Sequence, residues 1–210
     1  PNPDQADFRS VVEDIAAAAN SKSLAPAEPG GIAGFAIGAY ASYVPTDDAD
    51  AWGRLIGESV DEVGVVGLIV QKGLPFGIDI GGSYMAVPSS DLRLFSAELR
   101  YALLEGSIAT PALGLRASYS KLSGVDELDY DSYGIDASIS KGFGPLTPYA
   151  GVGYVWSAFE ADPVFGLDDE DLDEARLFIG LRLSALIGIT PEYERVGDRN
   201  SFNLRFGLAF

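Results

Sequence analysis

Two periods of hydrophobicity divide this chain. Near its start, Phe8, Val11, Val12, Ile15 and Ala19 recur at helical spacing, with Asp4 or Asp7 placed to cap the helix. The stretch SKSLAPAEPGG that follows reads as a linker from its Pro, Ser and Gly content. From Ile32 onward the period becomes two, and this alternation lasts to Phe210. The change of period predicts an N-terminal amphipathic helix and linker over 1–31 and an all-β domain over 32–210.

Strand patterns run roughly over 32–45, 62–72, 76–87, 92–104, 109–121, 130–141, 146–159, 174–186, 188–195 and 200–210. Ten strands are expected. Eight is the alternative, because little more than Ile187 and Gly188 separates the eighth pattern from the ninth. Connections alternate in length. Short ones lie near 72–75, 105–108, 142–145 and 188–189. Longer ones lie at 46–61, 122–129 and 160–173, with 88–91 and 196–199 the shorter members of that set. This alternation places short turns on one rim of a sheet and long loops on the other, the wiring of an up-and-down antiparallel barrel.

One face of each strand is apolar: Phe95, Ala97, Leu99, Tyr101 and Leu103 in the fourth, Tyr133, Ile135, Ala137 and Ile139 in the sixth, Leu177, Ile179, Leu181 and Leu183 in the eighth. The opposite face carries glycine, serine and scattered charges of both signs. A soluble barrel would bury the first face and a membrane barrel the second. The small, sparsely charged polar face suits a narrow lumen. Tyr43, Tyr84, Tyr119, Tyr133, Trp156, Tyr193 and Phe202 fall toward the long-loop end of their strands, as an aromatic girdle at a headgroup level would. An apolar band of about 9–11 residues suits a tilted transmembrane strand. The expected fold is therefore a transmembrane β-barrel with a short N-terminal helix.

The closing strand, with Phe202, Leu204, Phe206, Leu208 and Phe210 on one face, resembles the C-terminal signal of bacterial outer-membrane β-barrel proteins. That resemblance implies a bacterial outer-membrane location, with any signal peptide already removed. It implies that Phe206, Leu208 and Phe210 are read by the barrel-insertion machinery, and that outer-membrane lipids and lipopolysaccharide surround the protein.

Composition narrows the function classes. With 14 Lys plus Arg against 31 Asp plus Glu, the formal charge is −17, which argues against a nucleic-acid surface. There is no Cys and no His, which removes thiolate chemistry, Ser-His catalysis and the commonest zinc ligand. No apolar run is long enough for a transmembrane helix.

On the polar face, Asp79, Glu98, Arg100, Arg116, Asp136, Arg182, Glu192, Glu194 and Arg205 form a candidate lumen charge network. Confined charges pair, because an unpaired buried one is costly. The network either fills and stiffens the barrel or lines a charged constriction in a small pore. Glu192 and Glu194 also have the spacing for paired carboxylate chemistry, though no His is present to act as base.

The loops are acidic. Asp168, Asp169, Asp171 and Asp173 are candidate oxygen ligands for Ca²⁺ or Mg²⁺ without EF-hand spacing, and Asp126 and Glu127 add to a second acidic stretch. Solvated loop charge is the competing reading. No other cofactor is expected.

Trp52, Leu55, Ile56 and Val60 in the first long loop have helical spacing. The N-terminal helix is expected at the short-turn rim or in the periplasm, since a charged lumen is tight for a helix about 10 Å across. The expected function is a non-enzymatic outer-membrane barrel with a structural or narrow-pore, passive-transport role. A surface interaction protein using the acidic loops, and a His-free membrane-embedded hydrolase, are the alternatives.

Overall fold

The computed structural model describes residues 4–88, 90, 92–123, 128–161 and 166–210; Asp126 and Glu127 lie outside them. A helix, α1 (Gln5–Ala19), precedes the strands β1 (Phe35–Pro45), β2 (Glu62–Gly73), β3 (Ile78–Ala86), β4 (Arg93–Leu104) and β5 (Ala112–Ser123). These are followed by β6 (Leu128–Ser140), β7 (Leu146–Ala161), β8 (Glu170–Leu183), β9 (Gly188–Val196) and β10 (Arg199–Ala209). A second helix, α2 (Ala49–Ile56), lies in the loop between β1 and β2. Each strand pairs antiparallel with its sequence neighbour, and β1 pairs with β10 to close the barrel. The count is ten. At the seam the C-terminal residue completes the ladder: Phe210 N–H donates to the Phe35 carbonyl at 2.8 Å, and Phe35 N–H to the Phe210 carbonyl at 3.0 Å.

The apolar face points outward. Leu99 is 51%, Ile135 56% and Ile179 58% exposed, and Phe202, Leu204, Phe206, Leu208 and Phe210 are all on the outer surface. The expected girdle residues are at the long-loop end of the outer wall. Register aligns Tyr43 with Phe202 and Phe202 with Tyr193 across three strands, and Tyr119 with Tyr133 and Tyr133 with Trp156 across another three. Ring centroids are 5.6 Å apart for Tyr193–Phe202 and 5.0 Å for Tyr119–Tyr133. Tyr84 stands on Phe95 at 5.1 Å.

The interior has two storeys. At the long-loop end it is apolar: Val44, Val65, Met85, Leu94, Leu122, Tyr130, Phe159 and Leu172 point inward and surround α1, which contributes Phe8, Val12 and Ala16–Ala19. This corrects the sequence reading on two points. First, β6 begins at Leu128 and β8 at Glu170, so much of the expected long loops is paired wall. The inward Tyr130, Phe159 and Leu172 are what hold that wall, burying large apolar surfaces against each other and the helix. Second, α1 is inside the barrel at the long-loop end and not at the short-turn rim. The lumen admits it because its deep end is the run Ala16–Ala19, no thicker than backbone and methyl groups, and because an apolar wall surrounds much of it.

Glycines on the inner face make room for rings. Tyr40 lies opposite Gly67 in register, Phe178 opposite Gly151 and Tyr149 opposite Gly180. A Cβ on Gly67 would come within 2.6 Å of the Tyr40 ring. The glycine-rich polar face is thus a packing surface for aromatic side chains crossing the lumen.

Candidate functional site: a charged ring around a threaded segment

Beyond α1 the chain does not return to the rim. It continues in extended form through the short-turn half of the lumen and reaches β1 at the far end. A chain threaded this way has no sheet partner, so its buried carbonyls need donors from the wall. Arginines supply them. Arg116 donates to the Ser21 carbonyl at 2.9 Å and the Lys22 carbonyl at 3.0 Å. Arg100 donates to the Ser23 carbonyl at 2.6 Å, and Arg205 to the Leu24 carbonyl at 3.2 Å. The wall also supplies acceptors. Leu24 N–H donates to Glu192 at 2.9 Å, Ala27 N–H to Ser140 Oγ at 3.1 Å, and Gly30 N–H to Asp79 at 3.0 Å. Leu24 takes a left-handed backbone, φ 46°, at a cost of about 1–2 kcal/mol, and its N–H and carbonyl reach the adjacent strands β9 and β10.

Carboxylates hold Arg100 and Arg116 in place, whereas Arg205 is held by the Gln71 amide oxygen at 2.8 Å. Arg100 grips Glu98 side-on, Nε to Oε1 and Nη2 to Oε2, both at 3.0 Å. Gln71 donates to the same carboxylate at 2.8 Å. Arg116 reaches Glu98 at 3.2 Å and Asp136 at 2.7 Å. Arg176 joins Asp136 at 3.1 Å to Glu194 at 2.5 Å. Glu194 in turn binds Lys22 Nζ at 2.7 Å and Asn20 Nδ2 at 3.2 Å. Lys22 caps the helix end as well, donating to the Ala17 carbonyl at 2.5 Å. A cation at a helix C-terminus is favourably placed. The network is continuous from β4 to β9 and includes the plug.

The structure therefore brings together Glu98, Arg100, Arg116, Asp136, Glu194 and Arg205, with Glu192 bonded to Tyr149 Oη at 2.8 Å. Asp79 sits apart, at the short-turn exit of the segment. Arg182 faces the lumen on β8 but joins none of these pairs among the described residues. Two members were missed in the sequence. Arg176 is on the same face as Arg182 but directly follows the acidic run 168–174, which masks the start of its strand, and Lys22 is a lone charge in a linker whose path no local pattern gives away.

The Ca²⁺ or Mg²⁺ candidates do not converge. Among the described residues no three carboxylates form a metal-binding group. Asp171 and Asp173 are exposed on the outer face of β8, while Asp168 bonds Gln5 of α1 through its backbone.

α2 lies on α1 as a lid. Trp52 Nε1–H donates to Asp14 at 2.9 Å, and Arg54 pairs with Asp7 at 2.6 Å. Arg199, the first residue of β10, binds Asp14 at 2.7 Å and Glu13 at 3.0 Å. Arg54 holds the Asp7 carboxyl below the usual aspartate range, whereas burial pushes the Asp14 carboxyl up.

The chain is a ten-stranded barrel plugged by its own N-terminal segment. No family model and no curated protein sequence matches it. Solved structures similar to it include a KdgM porin, at 10% identity and TM-score 0.41, covering 83% of this chain and 99% of that one. Neisserial surface protein A is similar at 15% identity and TM-score 0.32, covering 83% and 95%. LpxR from Salmonella typhimurium is similar at 11% identity and TM-score 0.36, covering 84% and 99%.

Proposed function

We propose that the protein is a small outer-membrane β-barrel that is closed at rest, with residues 4–30 as a resident plug, and that it conducts only if the plug is displaced. The observation that carries this reading is the row of carbonyls from Ser21 to Leu24, each bonded to a lumen arginine. The apolar outer wall and the aligned aromatic rings support the membrane setting, with lipid as the surrounding solvent and the long-loop end outward. The exposed Phe206, Leu208 and Phe210 on the closing strand suit recognition by the insertion machinery.

The lumen charges serve closure. Glu192 and Glu194, the pair with catalytic spacing, are engaged by Leu24 N–H, Tyr149, Lys22 and Arg176. Their role is to position the plug rather than to carry a reaction. Planar-bilayer recording tests the proposal. The unaltered protein is expected to give no single-channel steps at high loading, and Lys22→Met with Asn20→Ala, which cuts the plug's side-chain hold on Glu194, is expected to give intermittent steps. Steady steps from the unaltered protein, or silence from the variant under strong applied voltage, would count against a displaceable plug.

A further inference from the structure

The wall has a seam at the short-turn end. Pairing between β8 and β9 lapses between Gly180↔Glu192 and Leu183↔Ile189. Pro191, inside the lapse, brings no N–H to the ladder. Beside this seam is a cavity of about 180 Å³ whose lining includes Arg182, Arg205, Ser184 and Thr190, with no acidic side chain among its lining residues. It has room for several waters or one small solute.

Its charge is unbalanced. Arg205 is buried, yet among the described residues its guanidinium meets only neutral acceptors, the Leu24 carbonyl at 3.2 Å and Gln71 Oε1 at 2.8 Å. Arg182 joins no ion pair among the described residues. The neighbouring carboxylates are committed: Glu98 to Arg100 and Arg116, Asp136 to Arg116 and Arg176, Glu194 to Arg176 and Lys22. Arg182 also lines a second cavity, of about 130 Å³, together with Arg100; Asp79 and Glu28 are on that side, with Asp79 bonded to Gly30 N–H. Guanidinium groups that share a confined space repel, and water alone screens them poorly there. Two residues with planar donors of fixed geometry and two with hydroxyls line the acid-free cavity, a donor set that suits carboxylate or phosphate oxygens.

We propose that the cavity between Arg182 and Arg205 binds a small oxyanion, a phosphate or carboxylate group, reached from the short-turn end. The cavity is present with the threaded segment in place, so binding there does not rest on plug movement. The anion belongs either to a free solute or to a lipid headgroup at that rim, since both present the same oxygens.

The test uses the full-length protein in a neutral maltoside micelle, titrated calorimetrically with inorganic phosphate and, separately, with a short-chain phosphatidylglycerol. Saturable phosphate binding that weakens about tenfold or more in Arg182→Gln, and about severalfold in Thr190→Val, is the expected result. Heat-modifiable migration confirms that each variant is folded. Phosphate competing with the lipid assigns the site to headgroups as well. Binding of phosphate alone assigns it to a free solute. No saturable binding of either probe, or equal binding by the unaltered protein and folded Arg182→Gln, would overturn the site.

Discussion

Lys22 and Glu194 meet at 2.7 Å with neither side chain reaching solvent. One belongs to the threaded segment and the other to β9, so this pair ties the plug to the wall. Glu194 also carries Arg176 at 2.5 Å. Removing its charge leaves two buried cations without their shared anion, and breaking a buried pair in this way costs about 3–5 kcal/mol. Glu194→Gln is therefore expected to unfold at markedly lower urea concentration in lipid vesicles. Arg195→Gln, which loses an exposed pair with Asp198 and an exposed hydrogen bond to the Gly197 carbonyl, is expected to change stability by less than about 1 kcal/mol.

The aromatic–glycine pairs across the lumen give a second test. Phe178 lies directly over Gly151, and a Cβ there would collide with the ring. Gly151→Ala is expected to lose about 1–3 kcal/mol through overpacking. Gly64, on the same sheet, has open space around its Cα, and Gly64→Ala is expected to be tolerated. The same urea titration reads both.

The lid contact depends on pH. The Arg54 guanidinium holds Asp7 below its ordinary value of 3.8. A depressed acid contributes stability that is complete above that value and is lost as pH falls through the lower folded one. Trp52 reports on the lid, since its indole N–H is bonded to Asp14. Its emission is expected to shift toward that of a solvated indole as pH falls below 3.8, with α2 loosening from α1. Asp14 has the opposite displacement and takes up its proton at higher pH. Asp7→Asn separates the two: the transition below 3.8 is expected to disappear in that variant.

The absence of cysteine makes cross-linking clean. Ala27 N–H donates to Ser140 Oγ at 3.1 Å, so the plug passes close to β6 at this point. The double variant Ala27→Cys with Ser140→Cys is expected to cross-link on mild oxidation in folded protein and not in urea. Mass spectrometry of a tryptic digest checks it. The oxidised form is expected to stay closed in bilayers even when combined with Lys22→Met and Asn20→Ala, and reduction to restore the intermittent steps.

Much of the barrel was legible because its signal is local. Leu99, Ile135 and Leu181 each alternate with polar or small neighbours, and a period of two survives any register or tilt. Closure was legible from Phe202 to Phe210, a strand that needs a partner on its free edge. The plug was not, because its information is non-local. Ala16–Ala19 reads equally as a surface helix or a slender buried one, and the choice depends on Val65, Met85 and Leu122 lining the chamber from distant strands. The Ser21–Leu24 stretch is recognised through backbone carbonyls, which no side chain advertises. The strand ends at Leu128 and Glu170 were hidden by acidic neighbours such as Asp129, Asp169 and Asp171, which face outward beyond the apolar belt and mimic loop composition.

Power-saturation spin-label spectroscopy in lipid vesicles tests the central arrangement most directly. Single cysteine labels replace Ile135 on the outer wall and Ser21 in the threaded segment. The Ile135→Cys label is expected to be relaxed by lipid-dissolved oxygen, and the Ser21→Cys label to be immobile and shielded from both oxygen and an aqueous nickel complex. A mobile Ser21→Cys label open to the nickel complex, or an Ile135→Cys label shielded from oxygen, would contradict a lipid-facing barrel closed by its own N-terminal segment.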